Sequence, residues 1–262
     1  MTAAIALMLA MSGPSANAAQ GPSLGAAASF AVLSAAPGGL GAVTCTASTI
    51  TGNVGSTGAL TNTGCVMTVA PVTQGVVDGF NSAYLALTPP STGNRCAGGT
   101  TLTGTLARTL TIPGLYCFDA GVTTSDGTLF LGGPADGVWL FKIGILGTGA
   151  LTGTNFNVVM SGLGSPCNVT WWVRDGATMT TSQFKGTILA GAAITVTGPG
   201  TFHGRALAKA GVTIETGTRL TGCTGGSLGG GNGNGNGGKC NDNDDDNDHD
   251  NNKDHGDNGN DD

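Results

Sequence analysis

The last third of the chain alternates apolar and small polar residues, almost without charge, in runs cut short by glycine; few folds besides a set of short β-strands can use such a pattern. Three runs align loosely: ATMTTSQFKGTILAG from Ala177, AITVTGPGTFHGRALAKA from Ala193 and GVTIETGTRLTG from Gly211. Their starts fall 16 and 18 residues apart. That period is short for most helical repeats and suits a coil of two or three short strands joined by glycine turns. Ile194 and Val196 alternate with Thr195 and Thr197, and Val212 and Ile214 with Thr213 and Glu215. Successive side chains of a strand point to opposite faces, so the apolar set is expected inward and the threonines outward.

Related fragments recur upstream: TCTASTITG (44–52), TTLTGTLARTLTIPG (100–114), GVTTSDGTLFLGG (121–133) and GALTGTNFNVVM (149–160). Their spacing is less regular, which predicts a discontinuous stack of coils; an all-β sandwich with a threonine-rich surface is the alternative on pattern alone. With 48 glycines in 262 residues and 10% charged residues, the chain is expected to hold many turns and little helix. Aromatics are only 5%, which predicts a narrow core filled by small side chains. One segment breaks the strand habit. APVTQGVVDGFNSAYLAL (70–87) sets Val76, Phe80, Ala83, Tyr84 and Leu87 on one face at helical spacing, predicting a helix over about 71–87 that Pro89 and Pro90 end. Gly75 and Gly79 weaken its propensity, so packing along the side of the β stack must hold it.

The start, MTAAIALMLAMSGPSANAAQ, has an apolar run over 3–11 and then Ala16, Asn17 and Ala18, the form of an export signal over 1–18, although no Lys or Arg precedes the run. It is too short to span a bilayer. The seven cysteines, at 45, 65, 96, 117, 167, 223 and 240, fit an oxidising, extracellular compartment. No C-x-x-C and no histidine cluster accompanies them, which argues against zinc. Sequential pairing is expected, Cys45 with Cys65, Cys96 with Cys117 and Cys167 with Cys223, leaving Cys240 for an intermolecular bond or a free thiol. The folded unit is expected over 19–223. A glycine- and asparagine-rich linker follows over 224–238, then a tail over 239–262 with ten Asp against Lys239 and Lys253. Asp242, Asp244 and Asp246 have D-x-D-x-D spacing but lack the Gly and Glu of a calcium loop, so no metal or cofactor is expected.

Residues 1–238 carry six acids against five Arg and three Lys, too balanced and scattered for a nucleic-acid binder. His203 is the one histidine outside the tail and no G-x-S-x-G elbow accompanies it, so an acyl-transfer triad has no visible parts. A β-helical glycosidase or lyase would need converging carboxylates, and the repeat region offers only Asp175 and Glu215. Arg174, Lys185, His203, Arg205 and Lys209 could line a groove, but such scattered charges read as solubility residues. Asn168 opens an N-V-T glycosylation match that runs straight into an apparent strand. The positive signal is a series of Thr-x-Thr pairs: Thr101/Thr103, Thr103/Thr105, Thr109/Thr111, Thr152/Thr154, Thr178/Thr180, Thr195/Thr197 and Thr216/Thr218. Strands stacked ~4.7–4.9 Å apart would array their hydroxyls and methyls on a lattice. Methyls leave adjacent water without strong partners while hydroxyls anchor some of it, so an uncharged array of this kind suits the surface of ice.

Seven segments in order, LGAAASFAVLS (24–34), TITGNVGS (49–56), LTIPGLYCF (110–118), VWLFKIG (138–144), NVTWWV (168–173), FKGTILA (184–190) and FHGRALA (202–208), resemble the secreted microbial ice-binding (antifreeze) proteins. The likeness runs from about residue 24 to 223. It implies a right-handed, three-faced, discontinuous β-solenoid with coils out of sequence order and one long α-helix alongside. It also implies an ice crystal surface as partner, no cofactor and no catalytic residue, hence no enzyme. Some members carry Thr-Ala/Gly-x-Thr/Asn on the ice face; TGTN at 152–155 matches, and TGTR at 216–219 departs at its last position. The expected ice-binding residues are Thr178, Thr180, Thr195, Thr197 and Thr213, then Thr152 and Thr154. Arg205 is expected to be structural, and the chain to be an exported monomer without nucleic-acid or membrane partners. A structural or adhesive surface domain, attached through its tail or Cys240, is the competing class.

Overall fold

The alternating runs do become strands, and every pairing between them is parallel. The computed structural model describes residues 21–223, which are mainly β with one α-helix; the expected export signal, linker, acidic tail and Cys240 lie outside them. A seven-stranded sheet runs, in spatial order, Ala59–Thr63, Ala42–Thr46, Val212–Ile214, Ile194–Thr197, Ala177–Thr180, Leu151–Thr154 and Val122–Ser125. A thirteen-stranded sheet completes the fold and divides into two arms that share the long strands Gln183–Ala190, Gly200–Ala208 and Thr49–Ser56. The first halves of these strands continue into Asn157–Gly162, Thr128–Gly133 and Arg108–Leu110, and the second halves into Val169–Val173, Trp139–Ile143 and Gly114–Phe118.

The turn from one arm to the other falls at glycine. Gly186 and Gly204 are register partners with φ of 112° and 149°, and Gly52 in the third long strand has 119°. A Cβ on Gly204 would lie 1.9 Å from the Gly186 carbonyl oxygen. Only a residue without a side chain lets the two bends nest.

One layer is built from both ends of the described chain. Phe30–Ser34 pairs with the second halves of Gly200–Ala208 and Thr49–Ser56, Thr218–Thr221 pairs with their first halves, and Val212–Ile214 lies between Ile194–Thr197 and Ala42–Thr46. Spatial order therefore departs from sequence order. The two ends meet at Ala31, whose Cβ would lie 2.8 Å from a Cβ added at either Gly52 or Gly222. Arg205, buried beside this junction, donates to the carbonyls of Ala28 at 3.1 Å and Cys223 at 2.7 Å, the structural role expected of it.

The core corrects the expectation of small side chains throughout. On the seven-stranded side it is indeed lined by Val43, Val122, Leu151, Ala177, Ile194 and Val212. On the other side rings form a row: Tyr116 stacks on Phe141 at 5.6 Å and Phe141 on Trp171 at 4.1 Å, while Trp171 meets Phe184 at 5.2 Å and Phe184 meets Phe202 at 5.0 Å at tilted angles. The chain has few aromatics, but parallel register places several of them above one another, where offset rings attract. Disulfides join Cys45 to Cys65, Cys96 to Cys117 and Cys167 to Cys223, over separations of 20, 21 and 56 residues. Loops of these lengths stabilise by roughly 3–4 kcal/mol each in the chain-entropy account.

The helix is Gln74–Leu87; it begins later than expected because Thr73 is still extended at its N-cap. It buries the five residues named from its periodicity, against Leu33, Leu140, Trp172, Leu189 and Leu207 on the outer side of the second arm. Gly79 permits the approach, since a Cβ there would sit 2.5 Å from the Leu24 carbonyl oxygen. The Trp172 indole donates to the Tyr84 carbonyl at 3.1 Å, and the Tyr84 hydroxyl to the Arg174 carbonyl at 3.1 Å. Burial, opposed in part by the Arg174 guanidinium, pushes the Tyr84 phenol up to about 12, so it remains a donor at neutral pH. None of the helix's apolar partners belongs to the seven-stranded sheet.

Replacing Gly204 by Ala is expected to destabilise the protein by about 2–4 kcal/mol, because the new methyl meets backbone and the φ is one that L-residues avoid. Chemical denaturation of the variant against the parent measures it.

Candidate functional site

In a parallel ladder residues of equal register stand side by side, so a threonine repeated at one position of successive strands becomes a column. On the outer side of the seven-stranded sheet the column runs Thr123, Thr152, Thr178, Thr195, Thr213, Thr44 and Thr61, seven threonines in unbroken register. Two residues further along, Ser125, Thr154, Thr180 and Thr197 form a second column, which Thr46 and Thr63 resume on the last two strands. All thirteen side chains are exposed or half-buried, while the residues between the two columns, such as Gly153, Met179, Val196 and Ile214, are buried, except at the edge strand, where Asn62 is exposed. No strand of this sheet contains a charged residue.

All seven threonines singled out in the sequence, Thr152, Thr154, Thr178, Thr180, Thr195, Thr197 and Thr213, fall in these two columns. Sequence reasoning missed Thr44, Thr46, Thr61, Thr63, Thr123 and Ser125. Their signal was present as T-C-T, T-N-T and T-T-S, but outside the regular repeat. Other Thr-x-Thr pairs lie elsewhere: Thr101 and Thr109 belong to the thirteen-stranded sheet, the Thr103 and Thr105 carbonyls accept from Arg108, and Thr218 is buried.

Beyond the second column the chain turns a corner in the left-handed region, at Ala47, Asp126, Asn155 and Thr181, with φ of 40°, 51°, 47° and 48°. The backbone ladder continues through the turn: the amides of Ala47, Asp126, Asn155 and Thr181 donate to the carbonyls of Thr63, Thr154, Thr180 and Thr197. Side chains add a rail. The Asn155 amide donates to the Asp126 carboxylate at 2.8 Å, and the Thr181 hydroxyl donates to the Asn155 amide oxygen. Asn tolerates this conformation because its short polar side chain bonds locally.

The catalytic alternatives do not assemble. Asp175 precedes the strand Ala177–Thr180 and accepts from the Gly149 amide at 2.7 Å, whereas Glu215 follows Val212–Ile214, so the two carboxylates stand at opposite borders of a parallel sheet. Arg174 lies over the Trp172 ring at 5.6 Å and Lys209 over Tyr84 at 4.3 Å, both beside the helix. Lys185 and His203 are register neighbours on the first arm, while Arg205 is buried. Among the described residues no group of three or more His, Cys, Asp or Glu could hold a metal ion.

Asn155→Val is expected to cost about 1–3 kcal/mol, because it loses the rail and puts a β-branched residue in the left-handed region; Asn155→Gly should cost less. Thermal unfolding of the two variants gives the order.

The chain is similar to known proteins in sequence and in fold. The sequence model of the Ice-binding-like family matches residues 26–219. An ice-binding protein of Flammulina populicola is 36% identical over 118 residues, 44% of this chain and 46% of that protein, so the matched stretch spans less than half of that relative. The crystal structure of an ice-binding protein from an Antarctic biological consortium superposes with a TM-score of 0.65 at 24% identity, covering 84% of this chain and 96% of that one. That of an ice-binding protein from an Antarctic Flavobacteriaceae bacterium gives 0.62 at 32% identity, covering 77% and 47%.

Proposed function

Because the chain belongs to the Ice-binding-like family, we propose that the outer side of its seven-stranded sheet adsorbs to ice and so inhibits ice growth and recrystallisation. The observation that carries this reading is the column of seven threonines in register. It repeats every ~4.7–4.9 Å across the strands, with the second column ~6.6 Å along them. Each threonine offers water one hydroxyl that donates and accepts and one methyl that does neither. Along the first column, water is thereby held at lattice-like positions without being organised around a charge. The parallel ladder and the disulfides hold the array rigid before contact, so many weak contacts add without an ordering cost at binding. Adsorbed molecules pin the growth front, which must bulge between them, and the extra curvature costs free energy until growth stops.

The other two surfaces suit this role less. The second arm lies under the helix, and the first arm exposes Arg219, half-exposes Lys185 and His203, and presents Phe130 at 39% exposure. We read the sheet and the two arms as the three faces of a right-handed solenoid, exported as a monomer to an extracellular site that suits its disulfides. The function needs neither cofactor nor catalysis.

Thr195→Lys at the centre of the column is expected to abolish thermal hysteresis while leaving circular dichroism and Tm nearly unchanged. Thr201→Lys, on the first arm, should keep full activity. Watching a growing ice crystal in a nanolitre osmometer reads both, and undiminished activity in Thr195→Lys would remove that column from the site.

A further inference from the structure

The two columns differ at one place. The two columns comprise fourteen positions, two for each of the seven strands, and thirteen hold a hydroxyl; at the fourteenth, just beyond Ile214, stands Glu215. Its amide donates to the Val196 carbonyl at 2.8 Å, continuing the parallel ladder, so Glu215 takes the second-column position between Thr197 and Thr46. Ile214 before it is buried and Glu215 itself is exposed, as the alternation requires. The Thr197 hydroxyl donates to its carboxylate at 2.9 Å.

We infer that Glu215 limits this surface: it is an activity-determining residue that divides the second hydroxyl column and withdraws Thr197 from it. The inference rests on the reading of the sheet as the ice-adsorbing surface. An ionised carboxylate only accepts hydrogen bonds and orients water around its charge, which opposes the neutral lattice on both sides. By drawing in the Thr197 proton it also turns a hydroxyl that would face water into an internal donor. The second column is left as one stretch of Ser125, Thr154 and Thr180 and a separate pair, Thr46 and Thr63. The backbone at 215 does not depend on the carboxylate. Its carbonyl accepts from the Ser48 hydroxyl at 2.7 Å and the Thr218 hydroxyl at 2.8 Å, so the side chain can be exchanged while the strand stays in place.

Glu215→Thr, which completes the column, and Glu215→Gln, which removes only the charge, are compared with the parent for thermal hysteresis at equal concentration and for Tm. Glu215→Thr is expected to raise hysteresis about twofold or more, through added contacts on a preorganised surface. Glu215→Gln should fall between, and both should keep the parent's Tm. If neither variant exceeds the parent, the inference is overturned. Including Thr195→Lys separates the two levels. An active parent, an inactive Thr195→Lys and an unimproved Glu215→Thr sink only the inference about Glu215, whereas a parent without activity sinks the underlying reading.

Discussion

Parallel pairing in strict register is the constraint on which the rest of this molecule depends. It fixes side-chain period and strand spacing at once, so the same hydrogen bonds that bury Ile194, Val212 and Val43 in one row bring Thr195, Thr213 and Thr44 into another. A slip of one residue in any rung would turn the apolar set to solvent and the threonines inward. Core and surface are thus specified together, and neither can vary without the other. The corner residues serve the same end, since the left-handed turns at Asp126, Asn155 and Thr181 repeat at one register and let the ladder continue around the bend.

The second determinant is where bulk is placed. Large rings stack on one side of the core, while the side beneath the columns is lined mostly by aliphatic residues with Gly153 and Met179 among them. Like residues on successive rungs keep the strand spacing uniform, and a uniform spacing underneath is what permits a regular spacing outside. The helix covers an apolar row on an arm away from this sheet, so its packing and the exposed columns do not compete for the same face.

Much of this was legible in the chain. Period-two alternation marked the strands of 177–214, helical spacing marked the buried face of Gln74–Leu87, and the threonines named from local pairs all fell in the two columns. What escaped was non-local. Thr44 and Thr61 join the surface because Val212–Ile214 inserts beside Ala42–Thr46, a neighbour some 170 residues away that no spacing announces. The same Thr-x-Thr pattern at 101–105 and 109–111 puts only Thr101 and Thr109 in strands, and those belong to another sheet, because a two-residue pattern does not state which sheet, if any, carries it. The aromatic stack escaped for a related reason, since composition counts rings and only register shows that they meet.

The layer shared by the first strand and the last two has a consequence for how this protein comes into being. Phe30–Ser34 is made well before one of its two partners, Gly200–Ala208, which follows some 170 residues later, and Ala42–Thr46 must wait as long for Val212–Ile214. Vectorial synthesis cannot close the domain coil by coil. The growing chain holds open strand edges until Gly200–Ala208 and Val212–Ile214 emerge, so closure of this domain is a late, long-range event rather than a stepwise one.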